Sequence, residues 1–218
     1  MSTVMMSSPS SDPSNDDVRE ISPTPPTPER QQSGFIAEIF KFALIALLVV
    51  VPFRMFVAQP FIVSGASMEP TFKTGQYLIV DQVSYRFGGP VRGDVVIFRF
   101  PEDPSKFFIK RIVGLPGDTV SISGETVTIA PISGDSFELP EPYVSDGNQK
   151  EDYLTVTLSE GEYFVMGDNR SASSDSRVWG PVPKENIVGK AFVRLLPLTT
   201  IGLLPGEYHA SGSNMDSE

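Results

Sequence analysis

The sequence predicts a mostly β fold: a single N-terminal transmembrane helix followed by a β-rich domain with a small β-hairpin extension. Three observations carry that expectation. Apolar residues crowd into one early segment between Phe35 and Val57. Beyond it come short β-branched and aromatic runs separated by glycine and proline, as strands and turns require. Outside the early segment there is no long helical period.

The elements follow in order. Residues 1–34 are dominated by Ser, Pro, Thr, Asp and Asn, with Ser22-Pro23-Thr24-Pro25-Pro26-Thr27-Pro28 at the centre. Such a stretch buries too little apolar area to offset backbone ordering, so it reads as a disordered tail. Residues 35–57 read as a transmembrane anchor. The uninterrupted run Phe42–Phe53 is only 12 residues, short for a hydrocarbon core of roughly 30 Å. Lys41 and Arg54 can snorkel to the two interfaces, which extends the span. A buried core helix and a cleavable signal sequence are the alternatives, and the acidic tail in front is a poor match to the latter. Charge asymmetry across the segment does not settle its orientation.

Residues 58–205 form the β domain. Tyr77–Val80, Asp94–Phe98, Phe107–Ile109, Leu154–Leu158, Glu162–Met166 and Ile187–Val193 have strand character, and Thr119–Ile122 and Thr126–Ile129 flank a Gly124-Glu125 hairpin turn. A hairpin extension is expected over about residues 119–165, and a loose tail over residues 206–218.

Composition excludes several classes. The 218 residues carry 17 Lys+Arg against 27 Asp+Glu, a formal charge of -10, which argues against broad binding to nucleic acid. It also gives no support for docking on anionic lipid by overall charge, so membrane contact is expected to be apolar. With no cysteine there is no disulfide framework, thiolate metal site or Cys nucleophile. No ligand cluster for a metal is apparent, and neither a metal nor a cofactor is expected.

Chemistry is suggested by Ser64-Gly65-Ala66-Ser67-Met68-Glu69-Pro70, a small-residue turn just beyond the apolar segment. Ser67 needs a base before it can attack anything, and the single histidine, His209, lies in the polar tail. A lysine is the remaining candidate. An ordinary lysine is protonated at neutral pH, so it must be buried to serve. Lys73 sits in a Lys-Thr-Gly turn; Lys110 sits between Phe107-Phe108-Ile109 and Ile112-Val113, an apolar strand able to desolvate it. Taken alone, Ser67 reads as a turn serine and Lys110 as a solvated strand residue. A third cluster, Gly167–Arg177, is dense in turn formers and charges, and by itself reads as a solvated loop or as a brace for the site.

Four segments together resemble bacterial type I signal peptidases, membrane-bound Ser/Lys endopeptidases. They are Ser64–Phe72, Arg92–Val96, Phe108–Asp118 and Gly167–Gly180, in the family's order behind an apolar anchor. The resemblance implies Ser67 as nucleophile and Lys110 as general base. It implies Ser173 as the residue that hydrogen-bonds the lysine amine, Asp168 as the partner of Arg111, and Asp175 with Arg177 as a structural ion pair. Val63, Met68, Phe72, Phe108 and Ile109 fall where the family builds shallow pockets for small substrate residues. That implies cleavage of signal peptides from exported preproteins after Ala-x-Ala type sites. The position two before the nucleophile, where some members carry a hydroxyl, is Gly65 here; the oxyanion would rest on the Ser67 N–H, with the Ser64 hydroxyl as a second donor. The resemblance further implies a single-pass protein of the bacterial cytoplasmic membrane, its catalytic domain on the extracytoplasmic side, in contact with the lipid bilayer and transiently with the secretion translocon.

Other readings are a dedicated Ser/Lys processing peptidase with few substrates, and a self-cleaving repressor-type Ser/Lys protease, which would lack the anchor. A membrane-tethered β domain that binds an envelope partner through a degenerate site belongs to a different class.

Overall fold

The computed structural model describes residues 32–56 and 58–208. The tail expected over residues 1–34 therefore lies almost wholly outside the described residues, as does His209. A helix, α1 (Gln32–Phe56), covers the apolar segment. Among the described residues no helix is long and apolar enough to cross a membrane. The chain divides between Leu44 and Ile45, within α1, and both sheets belong to the second part.

Two antiparallel sheets make up the β domain. The larger uses β1 (Ala58–Ile62), β2 (Tyr77–Asp81), β3 (Val95–Phe100), β4 (Asp103–Gly114), β9 (Glu162–Met166), β10 (Val182–Pro183), β11 (Ile187–Leu196) and β12 (Gly202–Leu203). Its order is β1-β2-β11-β3-β4-β9-β10, with β12 paired to β11. The smaller sheet runs β7-β6-β5-β8, from β5 (Thr119–Gly124), β6 (Thr126–Ala130), β7 (Phe137–Glu138) and β8 (Asp152–Thr157). Two short helices, α2 (Ser84–Phe87) and α3 (Ser176–Trp179), fill connections.

The extension is thus four strands and ends at Thr157. Residues 162–165, expected within it, belong to β9 and the larger sheet. The physical reason is burial: Tyr163, Phe164, Val165 and Met166 are all buried, and a strand covered on both sides must be internal. Val120, Ile122, Val127 and Ile129 of the smaller sheet pack with Val113, Phe164 and Met166 of the larger. The alternating burial along β5 and β6 leaves their other face towards solvent.

The C-terminal end is tied down further than residue 206. The Gly206 carbonyl accepts from Arg111, Glu207 accepts from Lys190 Nζ, and the Tyr208 ring meets that of Tyr143.

Candidate active site

Ser67 sits in the connection between β1 and β2. Met68 and Phe72, four apart in one turn closed by Phe72 N–H donating to the Met68 carbonyl, are fully buried among Val63, Leu78, Val80 and Val95. Two apolar anchors directly after the serine therefore fix the turn and leave Ser67 at its edge. Gly65 has φ of 97°, the left-handed region. Its N–H donates to Thr74 Oγ1, whose hydroxyl returns a bond to the Gly65 carbonyl. Ser64 is exposed and lines the adjacent cleft. The Ser67 carbonyl accepts from Asn169 N–H at 3.0 Å.

Lys110 and Arg111 are consecutive on β4, opposite Val96 and Val95 of β3. The two-residue period of a strand sends such neighbours to opposite sides. Lys110 is 4% exposed, and its Nζ donates to Ser67 Oγ at 2.8 Å and to the Ile109 carbonyl at 3.0 Å. Burial lowers its pKa to about 8, against the smaller upward pull of Asp175 and Asp168. Lys73 is exposed, in the turn whose carbonyl accepts from Gln76.

Arg111 is equally buried but saturated with acceptors. Nε and Nη2 donate to the two oxygens of Asp168 at 2.8 and 2.7 Å, and Nη1 to the Gly93 and Gly206 carbonyls. The Tyr143 ring lies 3.9 Å beneath the guanidinium. Thr71 Oγ1 donates to Asp168 Oδ2, so this pair also holds the turn that carries Ser67.

The segment after β9 closes the site. Asp175 is fully buried; desolvation would raise its carboxyl, but Arg177 and the Gly167 N–H hold it below its ordinary range. Its side chain also caps α3 by accepting from Arg177 N–H. A Cβ on Gly167 would lie 2.3 Å from Ser173 Oγ and 2.4 Å from the Ser67 carbonyl oxygen, so only glycine permits this approach. Ser173 Oγ is buried, and its hydroxyl helps hold the Asp175 carboxyl down. It stands near Ser67 but makes no bond to Lys110.

A cleft of about 270 Å³ opens beside Ser67 and Lys110, its walls including Phe61, Val63, Phe107, Phe108 and Ile109. Met68 and Phe72, which the resemblance placed among the pocket residues, do not line it; their side chains are spent in the core that holds the turn. Among the described residues no group of His, Cys, Asp and Glu could hold a metal ion.

Several residues that hold the site were missed by sequence reasoning. Arg170 Nε donates to the Gly167 carbonyl while its other nitrogens pair with Glu141. Arg177 reaches Asp152 of β8 at 2.9 Å, which ties the smaller sheet to the site loop. A dense charge pattern at Gly167–Arg177 was the available signal. Its partners lie in unremarkable polar stretches with no spacing to reveal them.

Comparison with known proteins gives a consistent result. A family model described as "Signal peptidase, peptidase S26" matches residues 36–196. The chain is 38% identical over 177 residues to "Probable signal peptidase I-1" of Synechocystis sp., covering 78% of this chain and 87% of that protein. It is 39% identical over 173 residues to "Probable signal peptidase I-2" of the same organism, covering 77% and 76%. A crystal structure of a signal peptidase I from Enterococcus faecalis V583 is 32% identical, with 46% of this chain and 95% of that chain covered and a TM-score of 0.40.

Proposed function

The chain belongs to the signal peptidase family, peptidase S26, and from that premise we propose how its residues remove signal peptides from preproteins. It is a serine endopeptidase, and the reading of its site rests on one observation above all. A buried lysine with no carboxylate bonded to it lies 2.8 Å from the hydroxyl of a serine at the edge of a cleft.

Neutral Lys110 accepts the Ser67 proton as Oγ attacks the scissile carbonyl. The oxyanion rests on the Ser67 N–H, and the exposed Ser64 hydroxyl at the cleft wall is the second donor. Lys110 then passes its proton to the leaving amine, the new N-terminus of the mature protein, and the signal peptide stays esterified to Ser67 through the carbonyl of its last residue. Water, deprotonated by Lys110, attacks that ester and restores the serine. Ser173 orients the lysine from its buried place beside the Ser67 turn, where its hydroxyl also supports the Asp175 carboxylate. Asp168 with Arg111, and Asp175 with Arg177, hold the two halves of the site in register. A lysine pKa of about 8 leaves roughly a tenth of the enzyme with a free base at neutral pH.

The cleft is small and apolar, and Val63, Phe108 and Ile109 suit alanine-sized residues before the cleaved bond. α1 anchors the chain in the bacterial cytoplasmic membrane, with the β domain on the extracytoplasmic face where preproteins leave the translocon. The exposed apolar side chains Phe40, Phe42, Leu47 and Leu48 of α1 fit lipid better than water.

Cleavage of a preprotein by the full chain in detergent tests this directly. Ser67→Ala and Lys110→Ala each lose about four orders of magnitude or more in rate, while Lys73→Ala keeps the parental rate. Undiminished cleavage by either of the first two would refute the dyad. Carbonate extraction of the protein from membranes would refute the anchor.

A further inference from the structure

A second cleft, of about 330 Å³, lies away from the catalytic one, between α2 and the start of β11. Arg86, Arg99 and Lys184 line it with a single carboxylate, Glu185. On a chain of formal charge -10 this is a local reversal of sign. The other acidic side chains nearby are engaged: Asp81 accepts from the start of α2, and Asp94 pairs with Lys190 and accepts from Tyr85. Arg99 and Lys184 are exposed and form no ion pair among the described residues, the Arg99 guanidinium lying over the Phe107 ring. Phe87, next after Arg86, is 90% exposed.

Position gives this cleft its meaning. Gln82, on its wall, donates to Gln59 at 2.9 Å. Gln59 is three residues past the end of α1, no more than about 11 Å of extended chain. A helix leaving a bilayer delivers those residues at headgroup depth. A cationic hollow next to an uncovered aromatic side chain at that depth has the pattern of an interfacial contact. The Arg99 guanidinium and the Lys184 ammonium match the oxygens of a phosphate.

We propose that this cleft binds the phosphate of an anionic phospholipid headgroup. The proposal rests on the reading of α1 as a membrane anchor. Phe87 enters the acyl boundary, and the headgroup fixes the tilt of the β domain above the bilayer surface. Electrostatic docking, which the overall charge argues against, is thus confined to one site.

The test uses the full chain in maltoside micelles doped with phosphatidylglycerol or phosphatidylcholine, with bound lipids counted by native mass spectrometry. Phosphatidylglycerol adducts are expected to persist where phosphatidylcholine is lost. Arg99→Gln and Lys184→Gln each weaken retention about fivefold, and Lys106→Gln, on the same protein but outside the cleft, leaves it unchanged. Equal retention of the two lipids, or full retention in both cleft variants, overturns the site. Displacement of the adduct by an equal concentration of inorganic phosphate overturns the lipid as its source. Cleavage of a soluble signal peptide by Lys184→Gln stays at the parental rate. If the parent cleaves that peptide but shows no lipid preference, the site fails and the peptidase stands; selective retention without cleavage is the reverse outcome.

Discussion

Two cations stand side by side on β4, and the protein treats them in opposite ways. Arg111 is surrounded by acceptors: both oxygens of Asp168, two carbonyls and an aromatic face. Lys110, as deeply buried, has a serine hydroxyl and one carbonyl. Burial penalises a charge unless partners replace the lost water. On one side of the strand they do, and the guanidinium serves as a fixed strut. On the other they do not, and the ammonium loses its proton near pH 8. Chemistry needs the under-compensated side, and the compensated side keeps it in place.

Removing compensation from the Arg111 side should have the largest effect. Asp168→Ala strands a buried guanidinium and is expected to destabilise the fold by about 3–5 kcal/mol, read by chemical denaturation. Removing the cation on the other side has the opposite sign. Lys110→Met should raise stability at pH 7 by about 3 kcal/mol, from a pKa of about 8 against 10.5. Because the folded-state pKa is depressed, the unfolded chain holds more protons between those values. The parent therefore gains on the variant as pH rises from about 8 to 10.5, and the difference vanishes above that window. Melting curves of both proteins across that range check the sign. Gly167→Ala presses on the junction between the two sides: about 1–3 kcal/mol of overpacking, with about a hundredfold loss in kcat/KM as the serine shifts. The smallest effect is Tyr143→Leu, which removes the ring under Arg111 for about 1 kcal/mol.

Much of this was legible in the sequence. The strand periods at Tyr77–Val80, Asp94–Phe98 and Ile187–Val193 fall in β2, the β3 region and β11, because alternation and β-branching act locally. The apolar residues flanking Lys110 identified a lysine that loses water, and the structure puts its nitrogen on Ser67. Less visible was anything set by distant pairing. Asp103–Lys106 lies outside the runs with strand character, yet it begins β4, where Asp103 pairs with Phe100. The Glu141–Arg170 and Asp152–Arg177 pairs span 29 and 25 residues and leave no periodic trace. Met68 and Phe72 look alike as pocket or core residues until the turn is folded; their four-residue spacing turns both inward.

Burial without a bonded carboxylate lowers the Lys110 pKa to about 8, so a fraction of the enzyme carries the free base at neutral pH. The pH dependence of kcat/KM on a soluble signal peptide reports the ionisation of the free enzyme. The profile should rise to a plateau with its inflection near pH 8. An inflection near the ordinary lysine value of about 10.4 would contradict the lowered Lys110 pKa.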